Sequence, residues 1–513
     1  QTLKPMDPPC CAHLKQELKV LRRRIEPRFP VKIWCLIFRN LHPLHLQRAR
    51  LVCKQWNQII SSSSALMDKL IFRIPLLYRN SEELLVLSTS RTRFTRMILI
   101  LQSFKILETT PLQFPASITE LVILSCTIST LLTMLRETVN LRKLKISFFS
   151  DKNFSDLTKI DFELQFLEEL RLGNHVRLLN VFKGACPRLK VLDVNGDYDD
   201  LELYEFVYTV RSTLEEISTI SVSAQFWKRV AHIKGLRLVR APELGMLQGS
   251  QLIRFTKKQM AIEQISIKYQ STEVLHDICR NLPQLKTLNV VVHGDYREYE
   301  VTFLDSIPNL KMLDLSCTSK RNSLKFENTT HQLLEHVAIG CFAQAADWFQ
   351  NFPNLRTVEL SKCSIERWSQ LFGSLSALRN LQKLILETID VKQSSDDWFS
   401  PLESLRFLHL GKTELSKTNF KAIITQCPDL RQIKFSSMKT LDDDDFSMVC
   451  TKVSLLRSLI LDTCNNITDN AVDHIVNFCL NLEEVHVMWC RRISKGAVQR
   501  MEKARKEILV FNW

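Results

Sequence analysis

Residues 456–461 read Leu-Arg-Ser-Leu-Ile-Leu, and their spacing, apolar-x-x-apolar-x-apolar, returns at residues 430–435 (LRQIKF) and 482–487 (LEEVHV). Working outward, clear copies start at Leu141, Leu167, Leu189, Ile262, Leu285, Leu310, Leu355, Leu381 and Leu405, and weaker ones at Met67, Phe94, Ile118, Leu214, Leu236 and Leu334. That makes eighteen, with successive starts 21 to 27 residues apart, and residues 508–511 supply a closing strand 26 residues after Leu482. The fourth and sixth residues of each copy alternate with their neighbours, so both point to one side of a short strand. The stretch that follows has helical period, as in Ala471, Val472, Ile475 and Phe478, with Thr468 or Asp469 placed to cap it. Pro187, Pro283, Pro308, Pro353 and Pro428 each stand two residues before a strand start, where proline ends a helix and favours extended chain. One such unit cannot bury its own leucines, but stacked units share a continuous core. The fold class expected is therefore α/β, a solenoid of about eighteen strand–helix repeats over residues 65–513.

Residues 29–60, FPVKIWCLIFRNLHPLHLQRARLVCKQWNQII, follow a different rule and predict three short helices. Ile33, Leu36, Ile37 and Leu41 share one helical face, which His42-Pro43 ends. Leu46, Ala49, Cys53 and Trp56 form a second set. Some thirty residues bury too little surface to stand alone, so this unit must lean on a partner or on the rest of the chain. Upstream, residues 1–12 carry three prolines and are expected to be disordered. Leu14, Leu18, Leu21 and Ile25 predict an amphipathic helix over residues 13–27, ended by Pro27.

The helical stretch resembles an F-box, the motif that docks on the Skp adaptor of cullin-RING ubiquitin ligases. The resemblance rests on Phe29-Pro30, Leu36-Ile37-Phe38, Leu41-x-Pro43-x-x-Leu46 and Val52-Cys53-Lys54-x-Trp56. Phe29 departs from the usual leucine, and Val31-Lys32 from a commonly acidic pair. An F-box over residues 28–64 implies adaptor contacts from Phe29, Pro30, Ile33, Leu36, Ile37, Leu41, Pro43, Leu46, Val52 and Trp56. The ladder resembles the longer, cysteine-containing leucine-rich repeats found behind F-boxes, which form curved right-handed solenoids. Cys126, Cys363, Cys464 and Cys490 fall eight residues after a strand start, where that family places an inward cysteine or asparagine. The resemblance implies a non-catalytic substrate receptor: the F-box holds the adaptor, and through it a cullin and a RING protein, while the repeats hold a target for ubiquitination and proteasomal degradation.

Composition narrows the rest. The net charge of +14 is concentrated in residues 1–60, which carry +9 and leave +5 for the remaining 453, so the repeats do not read as a nucleic-acid surface. No apolar run approaches a membrane span, and no secretory signal is recognisable, so the fifteen cysteines are expected as reduced thiols of the cytosol or nucleus. No C-x-x-C pair, phosphate-binding loop, nucleophile elbow or H-E-x-x-H is present; neither a metal, a cofactor nor an active site is expected. Positions three and five of each strand should face the open side of the sheet. There Lys383, Phe407, His409, Ile460 and His486, with Trp489 just beyond, either anchor a protein target or pack on neighbouring repeats. Lys143, Lys145, Arg171 and Arg240 leave room for a rival reading, an anion site of the kind that holds inositol phosphate in hormone receptors of this architecture. A non-degradative scaffold is the other rival.

Overall fold

The computed structural model describes residues 29–512, except His42 and residues 77–94, 102–115, 150–158, 174–177, 197–198, 220–221, 242–243, 245–246, 270–271, 293–297, 319–321, 327–329, 344–347, 394–399 and 506–507. The disorder expected over 1–12 and the helix over 13–27 lie outside the described residues. The chain forms two compact units, Gln1–Gly196 and Asp197–Trp513.

The first unit begins with helices α1 (Val31–Arg39), α2 (Pro43–Val52) and α3 (Lys54–Ser62), followed by a single turn, α4 (Ser64–Met67). Pro43 opens α2, where its missing N–H is no loss. Cys53 breaks α2 from α3 and caps the latter, its Sγ accepting the Trp56 N–H at 3.4 Å. Trp34, Phe38, Leu46, Ala49, Ile59, Ile60, Leu66, Met67 and Leu70 close into one apolar core, with Trp56 packed against it. Met67 therefore belongs to the helical core and does not start a repeat; the first strand is Ile71–Leu76. It is followed by strands Arg96–Leu101, Glu120–Cys126, Lys143–Phe149, Glu169–Leu172 and Val191–Val194, each parallel to the one before. Lys69 Nζ donates to the carbonyls of Arg39 and Leu41, and Thr95 Oγ1 to Asp68 at 2.9 Å, tying the helices to the first strands.

In the second unit the parallel register aligns Glu216, Arg240, Gln264, Thr287, Met312, His336, Thr357, Lys383, Phe407, Gln432, Ser458, Glu484 and Leu509 as equivalent positions. This ladder of leucine-rich strands includes the closing strand, Leu509–Asn512. It also corrects one phase: Arg240 pairs with Gln264, so that repeat starts at the buried Leu238 rather than at Leu236. Repeat helices such as Lys417–Thr425, Asp443–Lys452, Asp469–Phe478 and Lys495–Ala504 are capped by Ser416, Asp442, Thr468 and Ser494. Neighbouring caps are linked: Asp443 accepts the Thr468 N–H at 2.8 Å, and Asp469 accepts the Ser494 N–H and hydroxyl at 2.6 and 2.7 Å.

The expectation of one helix per repeat fails in the middle of this unit. There, short strands Glu298–Glu300 and Ser323–Lys325 run parallel, and Ala343 bridges Ser323 and Ser364. The turns Phe303–Ser306 and Phe349–Asn351 are 3-10 helices. Leu334 and Leu355 are only 21 residues apart, too few for a strand, two corners and a three-turn helix.

From Cys341 onward the corner after each strand has its own device. Cys341, Lys362, Thr388, Lys412, Ser437, Thr463 and Trp489 all adopt positive φ, between 47° and 64°. The N–H groups of the first six donate, at 2.7 to 2.8 Å, to the last carbonyl of the next strand. The following residue turns inward, and here the cysteines of the ladder are found. Cys363, Cys464 and Cys490 are buried, their thiols directed at backbone carbonyls such as Ile339 O at 3.4 Å and Leu461 O at 3.7 Å. Burial pushes the Cys363 thiol up to about 11, so it remains protonated.

Candidate functional site

Helix α1 buries Trp34 and Phe38 and turns Ile33, Leu36 and Ile37 outward. The buried face is an aromatic stack: Trp34 lies 5.5 Å from Phe38 and 4.8 Å from Trp56, and Phe29 meets the edge of Trp34 at 5.6 Å. Phe29, Pro30 and Val31 are also exposed, as are Leu51 and Val52 at the end of α2, with Leu51 86% exposed. Residues 29–67 contain no aspartate or glutamate but five cations: Lys32, Arg39, Arg48, Arg50 and Lys54. Exposed apolar side chains in a segment without acids suit an apolar, acidic partner.

On the open face of the second unit, Lys383 and Phe407 are register partners, with the ammonium 5.2 Å above the ring. The next row runs Ile385, His409, Lys434, Ile460, His486 and Phe511 on consecutive strands. His486 stacks on Phe511 at 4.4 Å and bonds to Glu484, so the closing strand covers one of its faces. His409 is only 7% exposed and bonds to Ser436 Oγ at 3.1 Å.

Residues 27–66 match the F-box domain family. The chain carries an F-box domain ahead of a ladder of leucine-rich parallel strands. It is 30% identical to F-box/LRR-repeat protein 4 of Bos taurus over 129 residues, which are 24% of this chain and 21% of that protein. The match thus spans about a fifth of that relative. Among solved structures, the mouse RP105/MD-1 complex is similar over 82% of this chain and 74% of that one, with 13% identity and a TM-score of 0.38. The Toll–Spatzle complex of Drosophila is similar over 81% and 60%, with 15% identity and a TM-score of 0.38.

Within the F-box, the expected adaptor contacts separate into two groups. Phe29, Pro30, Ile33, Leu36, Ile37 and Val52 lie on the exposed face, and Pro43 is half-buried. Leu46 is completely buried in the core of the helices, so its side chain is not on the exposed face. Leu41 and Trp56 are partly buried and pack on the same core, so they support the face from behind. Sequence spacing missed Val31 and Leu51, whose side chains are more exposed than those of Ile33 and Ile37; the absence of acids around them is the signal that was available.

Among the target candidates, Phe407, Lys383, Ile460 and His486 are accessible and Trp489 strongly so, whereas His409 is mostly covered. Burial and the neighbouring Lys434 push His409 down to about 4, against smaller opposing pulls from Glu387 and Asp462 and a further downward one from Lys383. It is neutral at physiological pH. Because its folded value lies below the unfolded value near 6.5, the unfolded chain binds the extra proton first as pH falls. Stability contributed by neutral His409 is complete above about 6.5 and is lost toward 4. His409→Asn is expected to flatten the fall in melting temperature between pH 6.5 and 4; an unaltered slope would refute this assignment.

Three of the four cations of the anion reading are matched by carboxylates. Lys143 pairs with Glu169 at 3.0 Å, Arg171 with Glu169 and with Asp193 at 3.3 Å, and Arg240 with Glu216 at 3.1 Å. Arg240 also belongs to the second unit, unlike the other three. Lys145 remains exposed, with Asp193 in its field. Cross-strand carboxylates neutralise these cations, so a polyphosphate finds no concentrated positive charge here. No group of three His, Cys, Asp or Glu among the described residues is arranged to hold a metal, and no described helix is long and apolar enough to cross a membrane.

Proposed function

We propose that this chain is the substrate-recognition subunit of a Skp/cullin/F-box ubiquitin ligase. The F-box docks on the Skp-type adaptor, which links to a cullin and a RING protein, and the repeats hold a target protein for ubiquitination and proteasomal degradation. The observation that carries this reading is the set of exposed apolar side chains on α1 and at the end of α2, backed by an aromatic core, in a segment that carries five cations and no acids. The chain contributes proximity: a target held beside a charged conjugating enzyme reacts as though the step were intramolecular. Such work belongs in the cytosol or nucleus.

The test is adaptor capture by the full chain and by Ile33→Asp/Leu36→Asp, which alters only exposed side chains. Removing two apolar contacts of about 1.5–3 kcal/mol each and inserting charge is expected to weaken capture at least a hundredfold. The circular dichroism spectrum should not change. A folded wild-type chain that fails to bind any Skp-type adaptor would sink the proposal. If the adaptor binds but captured partners do not accumulate when the proteasome is inhibited, the scaffold reading takes its place.

A further inference from the structure

The corner after the strand Glu484–Met488 combines two features that set it apart from the six before it, an exposed aromatic side chain and a cluster of cations. Trp489 sits at φ 56° and is 70% exposed. Positive φ is unfavourable for a bulky residue, and asparagine or glycine would make this turn with less strain. The six equivalent corners use Cys341, Lys362, Thr388, Lys412, Ser437 and Thr463, none of them aromatic. An indole held outward at a strained position, without packing to hold it there, points to a partner that covers it.

The second feature is charge. Arg491 and Arg492 follow in the turn and Lys495 opens the next helix, all exposed, and none meets a carboxylate within ion-pair distance among the described residues. Two other cations of these repeats are matched: Lys417 meets Asp442 at 2.7 Å and Lys392 meets Glu366 at 3.5 Å. Asp469, on the preceding repeat, is engaged by the Ser494 N–H and hydroxyl. Residues 488–505 hold six Lys or Arg against Glu502 alone.

We propose that this corner docks an acidic, extended segment of a target protein, with the Trp489 indole covering an apolar side chain and Arg491, Arg492 and Lys495 pairing with carboxylates on either side of it. The proposal rests on the reading that the repeats hold a target. It favours protein over nucleic acid because a strand of bases needs a series of aromatic platforms, and Trp489 is the only aromatic among the seven positive-φ corners.

The experiment uses the full chain and a fluorescein-labelled peptide of ten glutamates interrupted by a central leucine, at 0.15 M salt. Trp489→Asn is expected to weaken binding at least tenfold while leaving the melting temperature equal to or above that of the wild type, since asparagine tolerates positive φ. Arg491→Glu/Arg492→Glu/Lys495→Glu should abolish binding. A control with the same change in net charge, Lys228→Glu/Lys257→Glu/Lys258→Glu, alters exposed lysines of other helices and should stay within twofold of the wild type. Equal losses in control and corner variants would overturn the proposal, as would a Trp489→Asn chain that melts lower or binds normally. Tighter binding of an oligonucleotide of equal charge would also overturn it. Adaptor capture is measured alongside: peptide failure with capture intact rejects the corner alone, whereas loss of capture by the wild type rejects the ligase reading.

Discussion

Phe38→Ala is expected to open the F-box. Phe38 is buried among Trp34, at 5.5 Å, and Trp56, at 5.3 Å, so truncation leaves a void in a core formed by four short helices. Aromatic-to-alanine changes in such cores cost about 3–5 kcal/mol. A unit this small has little stability in reserve. Hydrogen exchange should show residues 31–67 losing protection, with adaptor capture lost as a consequence. The result differs in kind from Ile33→Asp/Leu36→Asp, which should lose capture with protection unchanged. Retained protection in Phe38→Ala would mean that the aromatic stack does not hold the helices together.

The second large effect separates two adjacent residues. Leu384 is fully buried on the inner side of its strand, and Ile385 is half-buried on the open face. Leu384→Ala should cost about 2–5 kcal/mol, whereas Ile385→Ala should stay within about 1 kcal/mol because it removes no core volume. Urea unfolding of the whole chain measures both. Equal losses at the two positions would contradict the assigned faces of the strand.

The ladder was legible because strand alternation and stacking place one demand on every repeat. Where that demand was met by an unusual residue, the phase was misread. At the eighth copy, Leu236 and Leu238 offer alternative starts, and Ala241 occupies the fourth position of the true one, a side chain too small to announce itself. At the first copy, register places Lys69 at the start, and with a lysine there the nearest apolar residue that fits the pattern is Met67, a core residue of α4. The replacement of helices by short strands near Glu298–Glu300 and Ser323–Lys325 depends on pairing between segments far apart in sequence, which periodicity does not see. The F-box motif was legible as a pattern, but a pattern mixes core and surface. Leu46 and Ile33 satisfy it equally, and only packing shows that one faces Phe38 and the other faces solvent. The four basic candidates were legible as cations; their cross-strand acids were equally present in sequence but become partners only once the register is known.

The column of positive-φ corners between Cys341 and Thr463 has a consequence for how the molecule comes apart. Each corner gives an N–H forward to the next strand, as Lys412 does to Ser436. Each strand start gives two N–H groups backward, as Arg431 and Gln432 do to Arg406. Every junction in this stretch is thus bonded in both directions, and no single one can open without exposing donors on both sides. Nearest-neighbour coupling of this kind sets the size of a cooperative unit in a repeat array. The stretch from His336 to Met488 should therefore unfold as one block rather than fray repeat by repeat, which makes its open face a support that does not yield locally.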